Sequence, residues 1–361
     1  MRRNRLLTAA TILLALAAAS GCGDRSSFGA DGILLQKVTT LGKGEDLLSG
    51  VRSIAFDSRG RAYVLTRDDH QGMPFVLGPN GELVTVLAEP GEGPGELARP
   101  NAIFLDALDS VFVWDAGTGR MSVFSPDAEL VRRYALPIPA VGSSWRLGNG
   151  DWIHTSATDH GFPFRLVTAE GELLREWGDT IDYIAERNAL PIRTPWIVGP
   201  GPEDTFWATP LSFRLEARQF DATGDELRRL EMSSDWYDPY GRHEITTPES
   251  PPQARITGVR QTDEGLWIVG MGPDPDWPDA LGDPIRVEGQ DAWQIDDFSG
   301  LYDTFIELRD PATGELRARY RDDRYMTGMP GGDRSLVMTR HEDELGFVTI
   351  DVYRVRYEPG D

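Results

Sequence analysis

The sequence predicts an all-β chain folded as a six-bladed β-propeller and closed by a strand from its N-terminal end. Three observations predict it: a turn tetrapeptide recurs at blade-like intervals, a second hairpin precedes each copy, and the repeats carry no helical period. The tetrapeptide reads Asn80-Gly81-Glu82-Leu83, Asp127-Ala128-Glu129-Leu130, Glu170-Gly171-Glu172-Leu173, Gly224-Asp225-Glu226-Leu227 and Thr313-Gly314-Glu315-Leu316. Its leucines are 47, 43, 54 and 89 residues apart, and the first three intervals match the length of a four-stranded propeller blade.

Each tetrapeptide sits between β-forming runs. The first joins 74–77 to 84–87, the second 121–124 to 131–134, the third 164–167 to 174–177, the fourth 217–220 to 228–230 and the fifth 304–308 to 317–320. Strand, Gly- or Asp-bearing turn, strand is a hairpin signature, because a tight turn needs a residue that tolerates positive φ. Upstream lie the second hairpins: 53–56 with 62–65, 102–105 with 111–114, 145–147 with 152–154, 196–198 with 206–208, and 256–259 with 266–269. Four strands per repeat define a propeller blade.

Five repeats are complete. The sixth, built from 335–338 and 346–353, lacks its outermost strand, and residues 34–41 resemble the missing piece. The following Gly42-Lys43-Gly44-Glu45 parallels Gly91-Glu92-Gly93-Pro94 after the first complete hairpin. Ring closure by the N-terminal strand is therefore expected, since it removes an open sheet edge that would invite aggregation.

Blade two carries Gly91-Glu92-Gly93-Pro94-Gly95-Glu96-Leu97, Pro100-Asn101-Ala102-Ile103, Val111-Phe112-Val113-Trp114-Asp115, Arg120 and Val123-Phe124-Ser125. This resembles NHL-type repeats and the bacterial six-bladed β-propeller lipoproteins that contain them. The match is good in blade two and degenerate elsewhere. The resemblance implies a six-bladed ring and a binding scaffold. It implies no single activity, because one fold hosts many functions.

The N-terminus supports the same assignment. Arg2, Arg3 and Arg5 precede an apolar run over 6–19, and Ala19-Ser20-Gly21-Cys22 follows. The run is shorter than the roughly 20 residues a membrane-spanning helix needs, and it has the three parts of a secretory signal. The final tetrapeptide resembles a bacterial lipobox, in which the cysteine is acylated and becomes the mature N-terminus; Ala19 stands where Leu is usual. Cys22 is the only cysteine, so no intramolecular disulfide can form and acylation accounts for the lone thiol. The expected organisation is a signal over 1–21, a Gly/Ser/Asp-rich tether over 22–33, the propeller over 34–356 and a short tail over 357–361. Gly23 rather than Asp follows the cysteine, which points to outer-membrane over inner-membrane delivery. A net charge of −22 repels phosphate backbones and argues against nucleic-acid binding.

Two insertions, 231–254 and 272–300, account for the long final interval. By propeller topology both emerge on the face opposite the hairpin turns, termed the upper face, and long loops there mark a candidate site. The second insertion carries Asp274, Asp276 and Asp279 beside Trp277 and Trp293. The three aspartates are possible oxygen ligands for calcium, although their spacing is not that of an EF-hand. The tryptophans suit stacking on a glycan or a partner, or packing of the insertion onto the ring. Asp115 and Arg120 flank a turn in blade two, as a ligand-facing pair or as an ion pair within the blade. In the other blades, Asp115 aligns with Thr66, Thr155, Thr209, Gly270 and Thr339, so no ring of carboxylates surrounds the axis. His70, His154, His160, His243 and His341 show no pair at metal-ligand spacing. Ser143 and Ser144 have no evident His or Asp companion, and there is no nucleophile elbow or phosphate-binding loop. The expected function is a lipid-anchored scaffold in the cell envelope that holds a protein, peptide or glycan through upper-face loops. The alternative is a metal-dependent hydrolase or lyase with its site at the axial pore. No cofactor other than calcium is expected.

Overall fold

Each repeat folds as a four-stranded antiparallel sheet because its hairpins are local and its middle strands are β-rich runs buried on both faces. The computed structural model describes residues 32–42, 48, 50–66, 72–136, 142–155, 162–178, 182–184, 191–193, 195–238, 246–287, 290–329 and 336–359. Cys22, the signal and most of the expected tether lie outside the described residues, as do His70, His160 and His243. Blade one comprises Val51–Phe56, Ala62–Thr66, Phe75–Leu77 and Leu83–Val86. Blade two comprises Pro100–Leu105, Val111–Asp115, Arg120–Phe124 and Leu130–Ala135, and blade three Ser144–Arg146, Trp152–Thr155, Phe164–Val167 and Leu173–Trp177. Blade four comprises Trp196–Pro200, Phe206–Pro210, Glu216–Phe220 and Glu226–Glu231, and blade five Arg255–Thr262, Gly265–Pro273, Tyr302–Arg309 and Leu316–Asp322.

Blade six is assembled from both ends of the folded chain. Its strands are Met326–Met329, Leu336–Glu342 and Val348–Tyr357, with Ile33–Leu41 outermost. The closing pair is antiparallel and runs from Ile33 opposite Tyr357 to Leu41 opposite Ile350, with one bulge between Lys37 and Thr39. The sheet thus extends one residue past each end of the expected span. The inner strand Met326–Met329 escapes the repeat pattern because it is four residues long and contains Gly328. Among the described residues, helical structure is confined to two 3-10 turns, Trp277–Ala280 and Ser299–Leu301.

The core is divided among the six seams between blades. Tyr63, Leu65 and Val76 pack on Ile103, Val113 and Phe124 between blades one and two. Phe112, Trp114 and Met121 meet Trp152 and Val167 between two and three. Phe164 and Trp177 meet Trp196 and Phe206 between three and four. Trp207 and Ala217 meet Ile256, Ile268 and Phe305 between four and five, and Trp267, Ile306 and Tyr320 meet Val337, Tyr353 and Ile33 between five and six. The last seam joins Leu41, Val348 and Ile350 to Val64, Phe75 and Leu77. Ile33 and Leu41, at the two ends of the closing strand, therefore enter two different seams.

The recurring turn glycine has a physical reason. Gly171 has φ +93, and a Cβ placed on it would lie 2.5 Å from the carbonyl oxygen of Ala135, at the end of the preceding blade's outer strand. Gly224 has φ +88, and its Cβ would lie 2.6 Å from the Trp177 ring, again in the preceding blade. The turn thus needs both left-handed backbone and room for a neighbouring blade. Arginines fasten the same corners: Arg175 donates to Thr223 O at 2.7 Å and to Asp225 at 2.9 Å, and Arg228 donates to Pro311 O at 2.6 Å.

Two alanine substitutions separate these requirements. Gly119 has φ +65 but open space around its Cβ position, so Gly119→Ala should cost about 1–2 kcal/mol, the left-handed backbone penalty alone. Gly171→Ala adds a clash with backbone and should cost roughly 3 kcal/mol in all. Urea denaturation of the two variants should place Gly171→Ala clearly below Gly119→Ala; equal midpoints would refute the close-packed turn.

Candidate functional site

The two insertions meet over blade five. The second one folds into an antiparallel ribbon, Leu281–Val287 with Gln290–Ile295, held between the two 3-10 turns. The Trp277 indole N–H donates to Thr247 O in the first insertion at 3.1 Å, and the Trp277 ring packs against Met271, Ala280, Leu301 and Tyr302. Trp277 is thus the clasp between the insertions rather than an open stacking surface. Trp293 lies half-buried opposite Pro284 in the ribbon.

A cleft of about 610 Å³ opens beneath this clasp. Trp236, Pro252 and Gln253 of the first insertion form one wall, Pro275 forms the edge of the second, and Phe305 and Arg321 of blade five form the floor. Its size is within the range of ligand pockets. It lies on the upper face, where the insertions are expected, but against the outer two strands of blade five rather than at the axis. Trp236 and Phe305 stack with ring centroids 4.8 Å apart.

Under the floor, a buried ion cluster holds the first insertion in place. The Glu307 carboxylate is fully buried. It accepts from Trp236 Nε1 at 2.8 Å, Arg319 Nε at 2.9 Å and Arg309 Nε at 2.8 Å, and from the Ser234 hydroxyl. Arg319 continues to Asp235 at 2.5 Å, and Arg309 to Ser233 O at 2.9 Å. Every contact to residues 233–236 links the insertion to the sheet. Buried charges persist only when paired and hydrogen-bonded in this way.

Asp303 is different. It is fully buried at the start of blade five's third strand. Its Oδ2 accepts from Arg321 Nε at 2.8 Å, whereas no donor meets its Oδ1. The Asp274 carboxyl lies within hydrogen-bonding reach of it. Burial raises Asp303 to about 6; Arg321 opposes the rise and Asp274 adds to it. Gln253 Nε2, also on the cleft wall, is buried with no acceptor.

The other residues singled out by sequence take different places. Asp115 is fully buried and accepts from the backbone N–H groups of Ala98 at 3.1 Å, Arg99 at 2.8 Å and Gly117 at 3.0 Å, and from Thr118 Oγ1 at 2.8 Å. Burial works to raise its pKa, but these hydrogen bonds hold it below the usual carboxylate range. Its ionic partner is Arg133 at 3.4 Å, while Arg120 is exposed and only shares its register. The expected Asp115–Arg120 pair is therefore corrected: Asp115 braces the connection into blade two and has no lone pair to offer a ligand. The aspartates of the triplet take separate places. Asp274 accepts the Asp276 backbone N–H at 2.6 Å and turns to Asp303, while Asp276 and Asp279 are exposed. Among the described residues no three His, Cys, Asp or Glu side chains converge to hold a metal.

Sequence reasoning missed a Ser–His contact. Ser144 Oγ lies 2.6 Å from His154 Nδ1 across paired strands of blade three. His154 is fully buried, and burial, reinforced by Arg165, lowers its pKa to about 3. A base that weak does not take a serine proton near neutral pH. The contact is a core hydrogen bond, and its signal in the sequence was the hairpin register that places 144 opposite 154.

No protein-family model matches the chain, and no curated protein matches it. Solved structures do. A Bacteroides fragilis protein with an inferred export assignment superposes with a TM-score of 0.53 at 12% identity, over 90% of this chain and 95% of that one. A member of the DUF4221 family from Bacteroides vulgatus gives 0.57 at 8% identity, over 91% of this chain and 99% of that one. Virginiamycin B lyase from Staphylococcus aureus covers 91% of this chain and 90% of its own at 12% identity, with a TM-score of 0.47. At these identities the likeness shows the fold alone.

The buried imidazole sets a pH dependence. His154 stays neutral in the folded chain at pH values where the unfolded chain, with an ordinary value of 6.5, is protonated. Its stabilising contribution is complete above pH 6.5 and is lost as pH falls from there toward the folded value. The loss approaches about 1.4 kcal/mol per pH unit. Urea denaturation at pH 7 and pH 5 should show this drop in the native protein and a smaller one in His154→Gln; an identical drop in both would assign the effect to other groups.

Proposed function

We propose that this propeller is an exported, lipid-anchored envelope protein that binds a protein, peptide or glycan partner in the blade-five cleft. The observation that carries the reading is the cleft itself: about 610 Å³, framed by two insertions, with a fully buried Asp303 whose Oδ1 meets no donor. A site built to bind leaves polar groups for its ligand to satisfy. The six-bladed ring supplies a rigid support. The lipobox-like Ala19-Ser20-Gly21-Cys22 supports the anchor, and the inferred export of a structural neighbour is in keeping with it. No described helix is long and apolar enough to cross a membrane. A diacylated or triacylated N-terminus holds a protein on a bilayer where a single chain does not.

Two experiments test the two halves of this reading. Cys22→Ser should move the folded protein from the detergent-extracted membrane fraction to the soluble envelope fraction; retention on membranes after a high-salt wash would defeat the anchor. Affinity capture from intact envelopes should recover a partner with the native protein and at least about tenfold less with Pro275→Trp, which fills the exposed edge of the cleft. Undiminished capture by a folded Pro275→Trp protein would move the binding site elsewhere.

A further inference from the structure

Charge balance around the cleft identifies what it lacks. Glu307 and Asp235 are matched by Arg309 and Arg319 through the contacts above. Asp303 pairs with one guanidinium, that of the half-exposed Arg321, and Asp274 brings a second carboxyl beside it. Asp238 stands exposed at the rim of the same cleft. Arg255 lies over the Tyr302 ring, 5.9 Å from its centroid. Two carboxyls thus stand beside one ion-paired guanidinium, and Asp303 is fully buried, where an uncompensated charge is costly. A proton is one neutraliser. A ligand cation is the other.

Resting on the binding reading above, we infer that the cleft takes a primary ammonium, the side chain of a lysine in a peptide segment, seated against Asp274 and Asp303 with its aliphatic stem along Trp236 and the prolines. Three features select this occupant. The orphan Asp303 Oδ1 is a buried acceptor that calls for a donor. An ammonium supplies three donors and no acceptor, so it can bond both carboxylates at once. The flanking Gln253 Nε2, a buried donor without an acceptor, fits the carbonyl oxygen of the peptide backbone that carries the lysine. A calcium ion fits less well, since it wants six to eight oxygen ligands and would face the Arg321 guanidinium. The net charge of −22 favours a basic partner at longer range.

Because the ammonium replaces a proton, the two compete. A lysine stays charged well above neutrality, with an ordinary pKa near 10.4, so acidification acts through Asp303. Binding should be strongest above pH 7 and should weaken as pH falls through the range in which Asp303 gains its proton.

The test uses the full-length protein in detergent and calorimetric titration with four probes: acetyl-Ala-Lys-Ala-amide, its norleucine counterpart, its glutamate counterpart and chitobiose. The lysine peptide should bind at least tenfold tighter than the norleucine peptide, and its affinity should fall about tenfold between pH 7 and pH 5. Asp303→Asn should remove at least tenfold of that affinity together with its pH dependence. Should Asp303→Asn fail to fold, Asp274→Asn serves, since an asparagine can keep the turn contact to residue 276. Equal binding of the lysine and norleucine peptides, or full affinity in either folded variant, would overturn the inference. If chitobiose or the glutamate peptide binds instead, and Pro275→Trp abolishes that binding, the ammonium is refuted while the cleft reading survives. If Pro275→Trp leaves capture of the envelope partner unchanged, the cleft reading itself fails.

Discussion

A ring of twisted sheets holds together only if its last seam is as good as the others. Here that seam depends on the antiparallel pairing of Ile33–Leu41 with Val348–Tyr357, which joins two segments separated by nearly the whole folded chain. The pairing does more than cap an edge. It puts Ile33 into the apolar seam between blades five and six and Leu41 into the seam between blades six and one. Without it, blade six would expose a bare edge and both seams would lose apolar cover. Closure of this kind carries a large loop-entropy cost, because the contact is the most non-local in the molecule. That cost is offset by the burial of two seams rather than one.

A closed ring also explains why blade five tolerates so much extra chain. Its four strands are fixed by their neighbours on both sides, so residues 231–254 and 272–300 can extend from the upper face without disturbing the sheet. What fixes the first insertion is electrostatic rather than apolar. Glu307 receives two guanidiniums, an indole and a hydroxyl, and each links the connector after blade four to blade five. Removing one member of such a buried set typically costs about 3–5 kcal/mol, chiefly because the remaining charge is left unpaired. The cleft floor is therefore stiff, and stiffness lets an imbalance four residues along the same strand, at Asp303, persist rather than relax.

The sequence was legible where the physics is local. The turn glycines and the β-forming runs that flank them report hairpins directly, and Gly171 and Gly224 show that the repeat also encodes contact with the preceding blade. Residues 34–41 were legible as a strand because their pattern matched the piece that blade six lacked. The short inner strand Met326–Met329 was not, since its existence depends on a partner at Leu336–Glu342 rather than on its own residues. Asp115 was visible as unusual, but its partners at 98, 99, 117, 118 and 133 come from two connections and one strand, and only the fold gathers them. Asp303 gave no signal at all. It is one acidic residue among many, and its distinction arises from Asp274 across the second insertion and Arg321 on the neighbouring strand. Binding chemistry that depends on an unmatched charge is invisible until the matching charges have been located.

The closing strand has a direction, and the direction has a consequence. As a fourth strand it begins at the hairpin rim, where Ile33 lies opposite Tyr357, and runs toward the upper face. Chain that precedes Ile33 thus joins the ring on the side away from the cleft. Under the anchoring proposed at Cys22, this direction would give the molecule a polarity relative to the bilayer, with the hairpin rim toward the lipid and the cleft facing outward.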